Sequence, residues 1–261
     1  MKAEMTKSLR KTAEKYGSVL AAFRSQGGAG KGLAAGGIAV AAMGILIGVP
    51  LLYVNFAGGL VVLMILAVPG IAMAIPGAIV HKVRMKDYLE YYHKQTGYSI
   101  EELRAADQEL MSPDAVKIVS RTSRSGVRPE TVFIITPHYF LSVWAMYGCY
   151  LRRLDDIVAA FYSNEIPGIN GFRRNLFVIT RWDIRSKPVK NAYTGKQYMG
   201  FENAILSDMK NCREVCEEAV AEIAARAPHI ITCQNIIVKG VRYNLISMDD
   251  WQRDWTNILE G

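Results

Sequence analysis

The sequence predicts an α+β membrane protein: a two-helix transmembrane hairpin plus a cytosolic antiparallel β domain capped by an amphipathic helix. Three observations carry that expectation. Gly32 to Val80, 49 residues, contain no Asp, Glu, Lys, Arg or His. Basic residues crowd both flanks of this stretch. Beyond residue 116 the apolar period changes from helical to strand-like. Five segments follow in order: a basic leader and Gly-rich hinge (1–31), the hairpin (32–81), a helical stalk (82–115), a β domain with its helix (116–228), and a terminal hairpin and helix (229–261).

In the leader, Met5, Leu9, Tyr16, Val19, Leu20 and Phe23 share one arc of a helical projection, with Lys7, Arg10, Lys11, Glu14 and Lys15 opposite. This pattern predicts a basic amphipathic helix. Its apolar face has two possible covers, the bilayer interface or the protein's own cytosolic domain. Residues 1–31 hold seven basic and two acidic residues, +5 of the chain's +7. Positive charge concentrated beside a membrane segment points to anionic lipid, not nucleic acid, as the partner. The run Gly27-Gly-Ala-Gly-Lys31 is no phosphate loop, since residue 32 is Gly where Ser or Thr belongs and no strand precedes it. The leader is too long for a signal peptide, so no cleavage is expected.

As one helix, 49 residues would run about 73 Å, more than twice a bilayer's roughly 30 Å core. The stretch must fold back. Leu33–Val54 and Leu60–Val80 are read as spans, joined by a turn at Asn55-Phe-Ala-Gly-Gly59. Pro69 and Pro76 are expected to kink the second span. The uncharged turn between basic flanks places both termini in the cytoplasm of a multi-pass plasma-membrane protein. Lys7, Arg10, Lys11, Lys15, Arg24, Lys31, Lys82, Arg84 and Lys86 are then candidate membrane-surface contacts. Small residues stripe each span, Gly37, Ala41, Gly44 and Gly48 on the first and Gly70, Ala74 and Gly77 on the second. Such stripes let helices approach closely, either within the hairpin or toward another chain or copy. With no ionisable group inside the spans, the hairpin reads as an anchor and not a conduit.

After the hairpin, Val83, Tyr88, Leu89, Tyr91 and Tyr92 continue a helix that stops at Gly97, and Ser99-x-x-Glu102 opens another through about Met111. Strand patterns then follow at 116–119, 131–136, 139–145, 149–154 and 157–162, with tight turns at Pro137-His138 and Tyr147-Gly148. Further strands are expected at Asn175–Trp182 and Lys196–Phe201. A helix over Ser207–Arg226 presents Met209, Val215, Cys216, Ala219, Val220 and Ile223 on one face. The last segment reads as a hairpin, Ile236–Ile246, turning at Lys239-Gly240. A short helix capped by Asp249 or Asp250 ends the chain, and its Trp251 and Trp255 anchor it to the β domain or offer an aromatic docking face.

The strings Phe133-Ile-Ile-Thr-Pro-His-Tyr-Phe-Leu, Tyr150-Leu-Arg-Arg-Leu-Asp-Asp-Ile-Val, Asn175-Leu-Phe-Val-Ile-Thr and Gly195-Lys-Gln-Tyr, with the helix after them, resemble the bacterial pleckstrin-homology-like (PH-like) domains attached to transmembrane hairpins. The resemblance covers residues 116–228 and lies in strand order and patterning. It implies a seven-stranded bent sheet closed by the last helix, and a role in binding, not catalysis. In lipid-binding members the first hairpin loop supplies Lys and Arg to inositide phosphates. Here that first tight turn is Pro137-His138. Basic residues gather instead at Arg173, Arg174, Arg181, Arg185, Lys187, Lys190 and Lys196, with Asp183 opposing them. They are candidate contacts for an anionic ligand or partner, or an ordinary solvated loop.

No catalytic constellation is legible. Asp155 and Asp156 are adjacent, so in extended chain they point to opposite faces, and His138 has no nucleophile placed beside it. Cys149, Cys212, Cys216 and Cys233 should be thiols in a reducing compartment, with spacing unsuited to zinc. The expectation is a non-enzymatic, cofactor-free, cytoplasm-facing binding or scaffold protein. Two alternatives are an accessory subunit of a transport or secretion complex, docked through the small face of the first span, and a membrane-bound enzyme with an unrecognised site.

Overall fold

A computed structural model describes residues 5, 7–26, 29–120, 130–144, 148–163, 175–190, 194–198, 204–206 and 212–261. The protein is α+β, with two long apolar helices and antiparallel sheets. It divides into two compact units, one chiefly Lys11–Arg104 and the other chiefly Ala105–Trp144 and Tyr150–Gly261.

The first unit is built around a helical hairpin. Helix α3 (Ala29–Val54) is followed after one residue by α4 (Phe56–Val62), a π-helical turn (Leu63–Ala67) and α5 (Val68–Lys86). Asn55 alone makes the turn. Its extended backbone ends the first helix, and its side-chain oxygen accepts from the Gly58 amide at 3.0 Å, capping the second. The turn expected over residues 55–59 is thus mostly helix, and the glycines in it serve a different purpose. A Cβ on Gly59 would stand 2.5 Å from Leu52 N and 2.8 Å from Gly48 O. Gly59 is there for proximity, not for turning.

The same holds along the seam. A Cβ on Gly37 would lie 2.6 Å from Ala74 N and from Gly70 O; one on Gly44, 2.5 Å from Ala67 N; one on Gly48, 2.6 Å from Leu63 Cγ. Gly70 meets the Ala41 backbone in return. The small face of each long helix is therefore filled by the other. The π turn lies just before Pro69, which has no N–H to give the carbonyl of Ile65, so the helix there has already left the i→i−4 pattern.

The leader forms two helices where one was expected. Helix α1 (Lys7–Tyr16) ends at Gly17, whose φ of +63° suits glycine. Ser18 then caps α2 (Val19–Gln26), its hydroxyl accepting from the Ala21 amide at 2.8 Å. Val19, Leu20, Ala21, Ala22 and Phe23 are buried, and α2 packs on α5 and on α6 (Tyr88–Thr96). The Tyr92 hydroxyl donates to the Leu20 carbonyl at 3.3 Å. Helix α6 stops at Gly97 in the left-handed conformation, as the sequence predicts. The 82–115 stalk does not stand apart: α6 belongs to the hairpin unit, and the division between units falls within α7 (Ile100–Met111).

In the second unit β1 (Val116–Ser120), β2 (Glu130–Ile135), β3 (Tyr139–Trp144) and β4 (Gly148–Arg153) form one sheet in sequential order. Pro137-His138 makes the β2–β3 turn, with Thr136 N donating to Tyr139 O at 2.8 Å. After a 3₁₀ turn at Leu154–Asp156, β5 (Ile157–Ser163) pairs with β6 (Asn175–Thr180). Helix α8 (Arg181–Arg185) and a small ladder of β7 (Val189–Lys190) and β8 (Gln197–Tyr198) follow, and β9 (Ala204–Leu206) adds to β6. One expected strand is shortened, since Asn175–Trp182 ends at Thr180; of the expected Lys196–Phe201, Gln197–Tyr198 is strand and 199–201 lie outside the described residues.

Helix α9 (Cys212–Arg226) packs on β1, β2, β5 and β6. Cys216, Ala219 and Ile223 meet Ile118, Phe133, Phe140, Ala160, Leu176 and Val178 in one core. The opposite face of β5 and β6 is covered as well. Phe161, Phe177 and Ile179 lie there with Leu245, Met248, Trp251, Trp255 and Ile258. This explains the unbroken apolar run Ile157-Val-Ala-Ala-Phe161, since a strand buried on both faces has no reason to alternate. The covering residues come from β10 (Asn235–Val238), β11 (Val241–Asn244), α10 (Trp251–Leu259) and the segment joining the last two. Lys239 and Gly240 turn the hairpin with φ of 50° and 82°, and Asp250 caps α10 by accepting from Arg253 N at 3.1 Å. Residues 229–261 complete the β unit and are not an appendage to it.

The seam makes a paired prediction. Gly44→Ala places a methyl against backbone and should destabilise the protein by about 1–3 kcal/mol. Gly36→Ala, with nothing within 4 Å of the added Cβ, should be neutral or stabilising by up to about 1 kcal/mol. Thermal melts of the purified full chain in detergent compare the two; equal melting temperatures would refute the close-contact account.

Candidate functional site

The basic segment after β6 is held by hydrogen bonds. Thr180 and Asp183 form a reciprocal capping box: Thr180 N and Oγ1 donate to Asp183 Oδ2 at 2.8 and 2.7 Å, and Asp183 N donates to Thr180 Oγ1 at 3.3 Å. One turn of helix results, with Asp183 and Ile184 buried and Arg181, Trp182 and Arg185 exposed. Its C-terminal end is tied to α10, where Gln252 Nε2 donates to the carbonyls of Ile184 at 2.9 Å and Ser186 at 3.3 Å. The β7–β8 ladder is tied to the same region. Gln197 exchanges backbone hydrogen bonds with Met248 at 2.6 and 2.8 Å, and its side chain accepts from Trp251 N at 2.9 Å.

This frame sorts the basic residues. Arg181, Arg185, Lys187 and Lys190 are exposed. Among the described residues no carboxylate pairs with any of the four, because the one acid in their stretch, Asp183, is turned inward onto Thr180. Lys196 stands apart from them, paired with Asp249 at 2.8 Å. Arg173 and Arg174 lie outside the described residues. Trp182 is 66% exposed beside the free cations. Strand periodicity hid it by running Asn175–Trp182 together; the signal that locates it is Thr180-x-x-Asp183, a helix start inside the apparent strand.

The membrane-surface candidates do not behave alike. Lys7, Lys11, Lys15, Lys82 and Lys86 are exposed, as is Arg10. Arg24 is not available, for its guanidinium stacks 3.5 Å from the centre of the Tyr91 ring. Lys31 and Arg84 sit on α3 and α5. The apolar face of the leader is also spoken for, since Leu9, Ala13 and the α2 residues are buried in the protein itself. Of the two covers open to that face, the structure supplies protein, and Lys7, Arg10, Lys11, Glu14 and Lys15 of the polar side remain exposed.

The remaining chemical candidates stay apart. Asp155 and Asp156 occupy the 3₁₀ turn. His138 Nδ1 meets Glu109 at 2.8 Å on an exposed surface. Cys216 is buried in the α9 core while Cys233 is exposed, and among the described residues no three His, Cys, Asp or Glu converge to hold a metal.

Lys196 holds the Asp249 carboxyl below the usual aspartate value, first by its hydrogen bond and then by its charge. The pair contributes above that usual value and fades as pH falls through the depressed one. Lys196→Gln should raise the Asp249 midpoint toward an ordinary aspartate, read by NMR titration of the side-chain carboxyl; an unmoved midpoint would contradict the pairing.

Compared with protein-family models, curated proteins and solved structures, the chain matches none.

Proposed function

We propose that this protein is a membrane-anchored, cytoplasm-facing binding or scaffold protein, its hairpin inserted in the bilayer and its β unit a PH-like domain serving as the interaction module. The observation that carries the first half is where the apolar surface lies. Both long helices pass the length and composition needed to cross a bilayer, Gly32–Val54 and Phe56–Lys82, yet only 22% and 17% of their most apolar windows are buried within the protein. Of the 25 exposed large apolar residues among those described, 20 fall between Leu33 and Val80. Left half in water, twenty such side chains would forgo on the order of 15–30 kcal/mol, more than the roughly 5–15 kcal/mol that holds a typical domain together. A core helical pair of a water-soluble protein would be covered. Lipid is the solvent that fits these faces.

For the second half, the support is architectural. A four-stranded and a three-stranded antiparallel sheet are followed by a helix that packs across strands of both. Seven strands in two antiparallel sheets with a helix across both support the PH-like reading, with α8, the β7–β8 ladder and the terminal α10 as additions to it. Basic residues on both sides of an uncharged turn favour termini on the cytoplasmic side. Docking of a larger complex through the small face of α3 loses its main support, because α4, the π turn and α5 already fill that face.

Carbonate extraction of native membranes at alkaline pH tests the anchor. The full chain should remain in the pellet, and protease added to intact spheroplasts should leave both termini uncut while inverted vesicles lose them. Release into the supernatant would sink the anchored reading, and cleavage of a terminus from outside would sink the orientation.

A further inference from the structure

We propose that the α8 turn is a second point of membrane contact, in which Trp182 enters the headgroup region of an anionic bilayer while Arg181, Arg185 and Lys187 pair with lipid phosphates. The proposal rests on the reading of the chain as membrane-anchored.

Three observations converge on this one turn. The first is the Trp. An indole exposed to 66% on an irregular loop would be unremarked, but this one sits on a helix closed at both ends by hydrogen bonds, with its neighbour Ile184 used in the core. The fold has fixed the backbone on either side and left the largest apolar side chain outside. The second is the local charge. Arg181, Arg185, Lys187 and Lys190 are exposed, and among the described residues the acids of this region are engaged elsewhere: Asp183 on Thr180, Asp249 on Lys196, Asp250 on the α10 cap, and Asp254 on Arg253. The third is chemistry. Trp with its apolar body and N–H tip favours the boundary between hydrocarbon and water, and Arg and Lys bound to phosphate hold it there. An acidic protein would need a matching apolar pocket beside its carboxylates, whereas an anionic bilayer offers phosphates and an apolar phase in layers at any point of its surface. The combination selects a lipid surface.

Brominated lipids provide the test, because they quench an indole only at contact depth. The full chain is reconstituted in nanodiscs of zwitterionic lipid with about one third brominated anionic lipid, and Trp emission is compared with that of Trp182→Phe. Wild type should show a quenched component that Trp182→Phe lacks. That component should vanish in Arg181→Gln/Arg185→Gln/Lys187→Gln and in purely zwitterionic brominated discs. Equal quenching of wild type and Trp182→Phe, both in the discs and after brominated anionic vesicles are added from outside, overturns the proposal; so does quenching indifferent to lipid charge. Carbonate extraction fails or succeeds independently, so loss of the hairpin reading and loss of this contact are told apart.

Discussion

Under the proposed anchoring, the two long helices cannot hold together by hiding apolar side chains from water, since lipid is as apolar as they are. What remains is contact area, and contact area requires that backbones approach. The seam of this hairpin meets that requirement by deleting side chains: Gly37, Gly44 and Gly48 on one helix face Ala74 and Gly70, Ala67, and Leu63 and Gly59 on the other. The one-residue turn at Asn55 follows from the same constraint. Helices this close leave no room for a wide loop, so the cap of the second begins where the first ends. Even the π turn lies on the seam, with the Ala67 amide among the atoms against Gly44.

Sequence reading reached the elements that depend on local pattern and missed those that depend on company. The two apolar helices, the Gly97 stop, the Lys239-Gly240 turn and α9 were all legible, because period and turn chemistry determine them. The leader was not. Its moment is the same whether protein or bilayer covers the apolar face, and only the position of Tyr92 and α5 against α2 decides. Gly59 misleads for a related reason: glycine marks both a turn and a close approach, and the sequence alone does not say which. In the β unit, Arg181 and Trp182 were absorbed into a strand because apolar alternation outvoted the short capping signal at Thr180.

Residues 229–261 change how the β unit holds its basic segment. The bulk of β5 and β6 is sealed by α9 on one side and by Trp251, Trp255 and their neighbours on the other. The same terminal stretch supplies Gln252 to α8 and Met248 to β8. A single element thus closes the core and positions the outward cations. Trp251 and Trp255, 5.8 Å apart edge to face, are spent on packing and are not a docking surface.

The distribution of charge then makes sense as a division of labour. Gly32 to Val80 has none, which suits an anchor and leaves no group to carry a proton or ion. The leader keeps its lysines outward although its apolar side is committed to protein, so whatever attraction it exerts on an anionic surface is electrostatic and screened by salt. The α8 turn differs in kind, since among the described residues it alone adds an exposed indole to exposed cations on a hydrogen-bonded backbone. Long-range attraction without apolar contact brings a surface near; attraction with it fixes an orientation. Under the proposed anchoring a tether confines the β unit to the neighbourhood of a membrane, and an oriented contact is what the tether does not supply.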